Sequence, residues 1–147
     1  MTGTIPSLYQ ADFSLWLDQT AQLLKSRQFH ELDIDHLVEE IEALNRSEKR
    51  EVESRLEVLL MHLLKWQYQP EHQSRSWQAT IREQRRQLLR LLKDSPSLKG
   101  HLSQAVDECY TIAREKAADE TTIFLENFPA QCPYAIAEVL DPDFLPN

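Results

Sequence analysis

Apolar side chains recur along most of this chain at intervals of three and four, the spacing that lines one face of an α-helix. The first such run is Phe13, Trp16, Leu17, Thr20, Leu23 and Leu24, with Asp12 placed to cap it, and the pattern fades near Arg27. The next start falls at Asp33, with Leu32 and Leu37 spaced as a hydrophobic staple and Asp35 suiting the positive end of the helix dipole. From there no proline or glycine interrupts the chain before Pro70, whose missing N–H and bulky ring stop a helix. The spacing therefore predicts one long helix over residues 34–69, roughly 54 Å at 1.5 Å per residue.

That helix carries two apolar seams. Leu37, Ile41 and Leu44 form the first, and Val52, Leu56, Leu59, Leu63 and Trp66 the second. Residues 45–51 between them are wholly polar for about two turns. A third helix is predicted beyond the Pro70 turn, capped by Ser74 or Ser76, with Trp77, Ile81, Leu88 and Leu91 or Leu92 inward. Ser95-Pro96 reads as N-cap and first residue of a fourth, striped by Leu98, Leu102, Val106, Cys109, Ala113 and Ala117. A proline-bearing loop over residues 125–133 leads to a short helix over 133–140 and an Asp-Pro-Asp-Phe-Leu-Pro tail. The expected architecture is all-α: an antiparallel bundle of four main helices around the long one, plus a short C-terminal helix, in a single domain of residues 1–147.

Composition supports this. At 147 residues, 41% hydrophobic and 27% charged, the chain is long enough to bury a core and too apolar for disorder. Gly3 and Gly100 are its two glycines, which argues against tight hairpins, a P-loop or a dinucleotide fingerprint. The N-terminal stretch has no basic and apolar targeting pattern, and no apolar run is long enough for a membrane span. A cytoplasmic protein with no membrane partner is expected.

The net charge of −8 disfavours nonspecific binding to nucleic acid. Residues 65–93 are the exception, with Lys65, Arg75, Arg82, Arg85, Arg86, Arg90 and Lys93 against Glu71 and Glu83. Arg82, Arg86 and Arg90 share one helix face, and Trp66, Tyr68, Trp77 and Arg75 flank the turn before it. Such residues suit phosphate contacts assisted by stacking or cation–π interactions, a nucleic-acid platform in the basic helix 75–93. Residues 31–57, however, hold ten carboxylates against four basic side chains. A helix folded back along them would bring its arginines toward Glu53 and Glu57, and this internal pairing is the preferred expectation.

Reactive constellations are sparse. No glutamate has a histidine three residues on, so the di-iron bundle signature is missing. Asp33-x-x-His36 is better read as a helix cap, and His36 with Glu40 makes at most half a metal site. Cys109 falls on an apolar stripe without a histidine at helical spacing, and its pairing with Cys132 stays open. His62 flanks the second seam and reads as a packed, hydrogen-bonded residue. No catalytic residue, metal ligand set or cofactor is assigned.

The stretches His62-Leu63-Leu64-Lys65-Trp66-Gln67-Tyr68-Gln69-Pro70 and Ser76-Trp77-Gln78-Ala79-Thr80-Ile81-Arg82-Glu83-Gln84-Arg85-Arg86 resemble a bacterial, largely cyanobacterial family catalogued as domain of unknown function 29. Residues 9–17, 37–41, Cys132-Pro133-Tyr134 and 141–146 fit the same family. The resemblance implies a small helical bundle and, the family having no assigned activity, no site residues. The residues themselves favour a non-enzymatic protein-interaction module, self-associating or bound to a protein partner. The geometry behind this is that the third helix is too short to reach the first seam, leaving Leu37, Ile41 and Leu44 to the first helix, the C-terminal segment or another chain. The nucleic-acid reading and a metal-binding bundle enzyme are the alternatives.

Overall fold

The computed structural model describes residues 7–147, and their regular structure is all-α, with no strand among them. Gly3 and the start of the N-terminal stretch read for a targeting signal lie outside the described residues. The helices are α1 (Leu8–Ala11), α2 (Phe13–Lys25), α3 (Ile34–Tyr68), α4 (Arg75–Asp94), α5 (Leu98–Glu120) and α6 (Ile136–Leu140). None is long and apolar enough to cross a membrane. The chain divides into two compact units, Met1–Arg46 and Ser47–Asn147, and α3 belongs to both.

In the first unit, side-chain caps set the helix starts. Asp12 accepts the Leu15 N–H at 3.0 Å and opens α2, and Asp33 Oδ1 accepts the His36 N–H at 3.3 Å and opens α3. α2 buries Trp16 and Thr20. It ends at Lys25, and Arg27 takes a left-handed φ of 60° where a glycine would be unstrained.

The second unit holds the main core. Val52, Leu56, Leu59 and Leu63 of the predicted seam are fully buried, together with Leu60 and Leu64, which lie outside that seam. α3 is thus covered on two sides here. Ser74 caps α4 by accepting the Trp77 N–H at 3.1 Å, and Ile81 and Leu88 point inward. α5 begins at Leu98, not at Ser95-Pro96. The Ser95 N–H closes α4 on the Leu91 carbonyl at 2.9 Å. The Leu98 and Lys99 N–H groups reach back only three residues, to the Ser95 and Pro96 carbonyls at 2.9 and 3.1 Å, so residues 95–97 form a turn ahead of the helix. α5 buries Leu98, Leu102, Cys109, Ala113 and Ala117 of its predicted stripe, and Ala105 and Tyr110 besides.

The chain after α5 is mostly irregular and is anchored by buried polar side chains. The Tyr110 hydroxyl donates to the Pro129 carbonyl at 2.6 Å, Arg114 to the Phe128 carbonyl at 3.1 Å, and the Tyr134 hydroxyl to Gln67 at 2.7 Å. Glu138 accepts the Ala135 N–H at 3.0 Å, which starts α6 three residues later than predicted. This segment completes the core of the second unit with Phe128, Tyr134 and Val139.

A candidate interaction surface on the first unit

The first unit exposes most of its apolar side chains. Trp16 is the one large hydrophobic residue it buries among the described residues, while Phe13, Leu15, Leu17, Leu24, Phe29, Ile34, Val38, Ile41 and Leu44 are all exposed. The second unit buries nineteen hydrophobic residues in one cluster and exposes only Leu89, Phe124 and Leu125 of its large ones. A segment of about 40 residues is at the limit of what can hold a fold without staples or a partner. This imbalance is the main structural anomaly of the chain.

On α3 the exposed residues form a face. Ile34, Val38 and Ile41 follow one another at spacings of 4 and 3, with Leu44 continuing the same side. Of the predicted interface residues, Leu37 is half-buried, whereas Ile41 is 58% and Leu44 68% exposed. Ile34 and Val38 were missed, although their spacing from Ile41 is the same signal that marked the others. The opposite side of this helical stretch is occupied by α1. The Tyr9 ring stacks on His36 with centroids 4.0 Å apart, its edge meets Trp16, and its hydroxyl donates to Glu40.

These contacts dispose of the half-built metal site. His36 Nδ1 faces Asp33 Oδ2 and Glu40 is engaged by Tyr9, so the two do not converge on a common point. Among the described residues no group of three or more His, Cys, Asp or Glu side chains is arranged to hold a metal.

The Asp33 hydrogen bond raises the His36 pKa above its ordinary 6.5, and that same bond lowers the Asp33 carboxyl below 3.8. For a raised histidine, the stabilisation is complete below the unfolded value of 6.5 and is lost as pH rises through the folded one. For a lowered carboxyl, it is present above 3.8 and lost on acidification. The pair is therefore fully formed between these limits. In an NMR titration, the His36 ring protons should show a midpoint above 6.5 that falls toward 6.5 in Asp33→Asn, which keeps the cap oxygen but not the charge. An unchanged midpoint would disprove the pairing.

α4 presents a second surface. Arg75, Arg82, Arg86, Arg90 and Lys93 are exposed, and their spacings of 7, 4, 4 and 3 put them on one face beside the exposed Leu89. The predicted platform is only partly assembled. Tyr68 turns its edge to Phe128 at 5.4 Å, Trp66 packs against the core, and the half-buried Trp77 has Lys65 Nζ 4.8 Å above its ring. The aromatic rings are thus engaged by the chain's own residues.

The expected internal pairing of these arginines with Glu53 and Glu57 does not occur. Glu53 faces His101 at 3.3 Å and Glu57 faces Lys116 at 3.4 Å, both on α5. Arg55 donates to Gln84 of α4 at 3.4 Å, which puts α4 on the other flank of the seam. With 100° between successive residues, one flank of α3 cannot serve both neighbours. Arg86 instead pairs with Glu83 on its own helix at 2.7 Å, holding that carboxyl down at about 2. Arg85 is 2% exposed and turns inward, and nothing in the arginine spacing singled it out.

The remaining candidates are structural. His62 Nδ1 meets the Val58 carbonyl at 2.9 Å, and burial lowers its pKa. Cys109 and Cys132 are both free thiols. Burial, reinforced by Glu57 and Glu53, pushes the Cys109 thiol up to about 12, far from a reactive thiolate.

An all-α chain with a well-filled core in its second unit and an exposed apolar surface on its first is defined by its fold. Residues 8–145 match the family model described as domain of unknown function DUF29, and the chain belongs to that family. No curated protein and no solved structure matches it.

Proposed function

We propose that this chain is a non-enzymatic protein-interaction module that docks through the uncovered α3 face of its first unit. The observation that supports this reading is the exposure of Ile34, Val38, Ile41 and Leu44 in a unit that buries little else. Contiguous apolar surface of this kind marks interfaces in soluble proteins. Each side chain is about half exposed, so covering it contributes on the order of 1 kcal/mol.

The test compares wild type with Ile41→Asp plus Leu44→Asp. Both positions are exposed, so unfolding curves should match. Native-host purification should recover a protein, either further copies of this chain or another polypeptide, with wild type and not with the variant. Identical recoveries, together with a monomeric wild type in light scattering at high concentration, would overturn the reading.

A further inference from the structure

Building on that reading, we propose that the occupant of the α3 face is the basic face of α4 in a second copy of this chain. The first unit is acidic, with eight carboxylates against Lys25, Arg27 and Arg46. Three of them, Asp35, Glu39 and Glu42, are exposed along the edge of the apolar face at spacings of 4 and 3. No hydrogen bond or ion pair among the described residues engages their side chains. The face therefore calls for an apolar strip bordered by positive charge.

The outer side of α4 has that character. Leu89 is exposed between Arg82, Arg86, Arg90 and Lys93, and the last three repeat the 4 and 3 spacing of the acidic edge. Arg86 is held by Glu83, but Arg82, Arg90 and Lys93 have no ion-pair partner among the described residues. The carboxylates that the sequence suggested for them are taken by α5. A symmetric pairing of two α3 faces would instead bring two acidic edges together, and like charges across an interface oppose association.

The interface so defined is heterologous: each copy offers an α3 face and an α4 face, and a pair joined through one such contact leaves one of each unused. Such contacts continue into rings or open chains. Assembly should grow beyond the dimer with concentration and weaken about tenfold or more as salt shortens the screening length.

The experiment uses two full-length variants, one with Ile41→Asp and Leu44→Asp, the other with Arg82→Glu and Arg90→Glu, each checked for wild-type unfolding behaviour. In nuclease-treated samples, light scattering should find wild type assembled and each variant monomeric. Mixing the two variants should restore a single one-to-one complex, because one intact face of each kind remains. A monomeric wild type, or a mixture that stays monomeric, overturns the proposal. If the arginine variant still dimerises while the α3 variant does not, the α3 face is self-paired; the interaction reading stands and the α4 assignment falls. If the α3 variant assembles like wild type, both fall. If the arginine changes abolish only binding to a DNA or RNA probe and leave assembly intact, the α4 face serves nucleic acid and the proposal is again overturned.

Discussion

Leu60→Ala is expected to lower the unfolding free energy by about 3 kcal/mol, within the roughly 2–5 kcal/mol seen for deep leucine truncations. Leu60 is fully buried in the cluster of the second unit, where α3 is covered on two sides. Truncation there loses the transfer free energy of the side chain and leaves a cavity that the surrounding helices cannot easily close. For a unit of about 100 residues this corresponds to a fall of about 15 °C in melting temperature. Leu44→Ala, on the same helix, should change stability by no more than about 0.5 kcal/mol, because its side chain is 68% exposed. Thermal and urea unfolding of the two variants side by side measure the contrast. Equal losses would mean that the first seam is covered in the folded monomer, which would remove the basis for the docking surface as well.

Arg85→Ala should be nearly as costly, at about 2–4 kcal/mol, through a different mechanism. The Arg85 guanidinium donates from Nε to the Val139 carbonyl at 2.8 Å and from Nη2 to the Glu138 carbonyl at 3.4 Å, and it sits 5.8 Å from the Phe144 ring. Both carbonyls lie in the last turn of α6; that of Glu138 also accepts the Asp141 N–H at 3.1 Å, whereas that of Val139 has no helical N–H left to satisfy it. Desolvation is the main influence on Arg85, lowering its pKa, with Asp141 opposing it. Removing the guanidinium strands the Val139 acceptor and detaches the tail from α4. Limited proteolysis should then cut within residues 136–147, which wild type protects. Arg85→Lys should recover little, since one ammonium cannot reproduce a two-pronged donor. Arg82→Ala on the exposed side is the control, and an equally small effect of both changes would refute the assigned role.

The arginines of α4 show where sequence reasoning stops. Arg82, Arg86 and Arg90 share a face at helical spacing, so their outward position was legible. Arg85 differs from Arg86 by one position, a 100° turn of the helix, and nothing local says which of them meets the core. The outcome depends on α6 presenting carbonyls, an arrangement assembled across more than fifty residues of chain. Glu53 and Glu57 carry the same lesson, because their charge was visible while the choice of α5 over α4 as their neighbour was not. Cys109 and His62, by contrast, needed only the apolar stripe around them for their packed roles to be read.

By itself, the sequence determined every helix but α1, and most of their ends, because caps, staples and proline stops act within a few residues of chain. Asp12, Asp33 and Ser74 cap where their positions predict, and α3 ends just before Pro70. It also marked two separate apolar seams on α3, since periodicity is a local property. Only the tertiary structure decided which seam is buried on two sides and which stays open, which arginine turns inward, and where the irregular C-terminal segment packs. Those outcomes rest on which faces meet across long chain separations, and burial free energy depends on the neighbour found there, not on the residue alone.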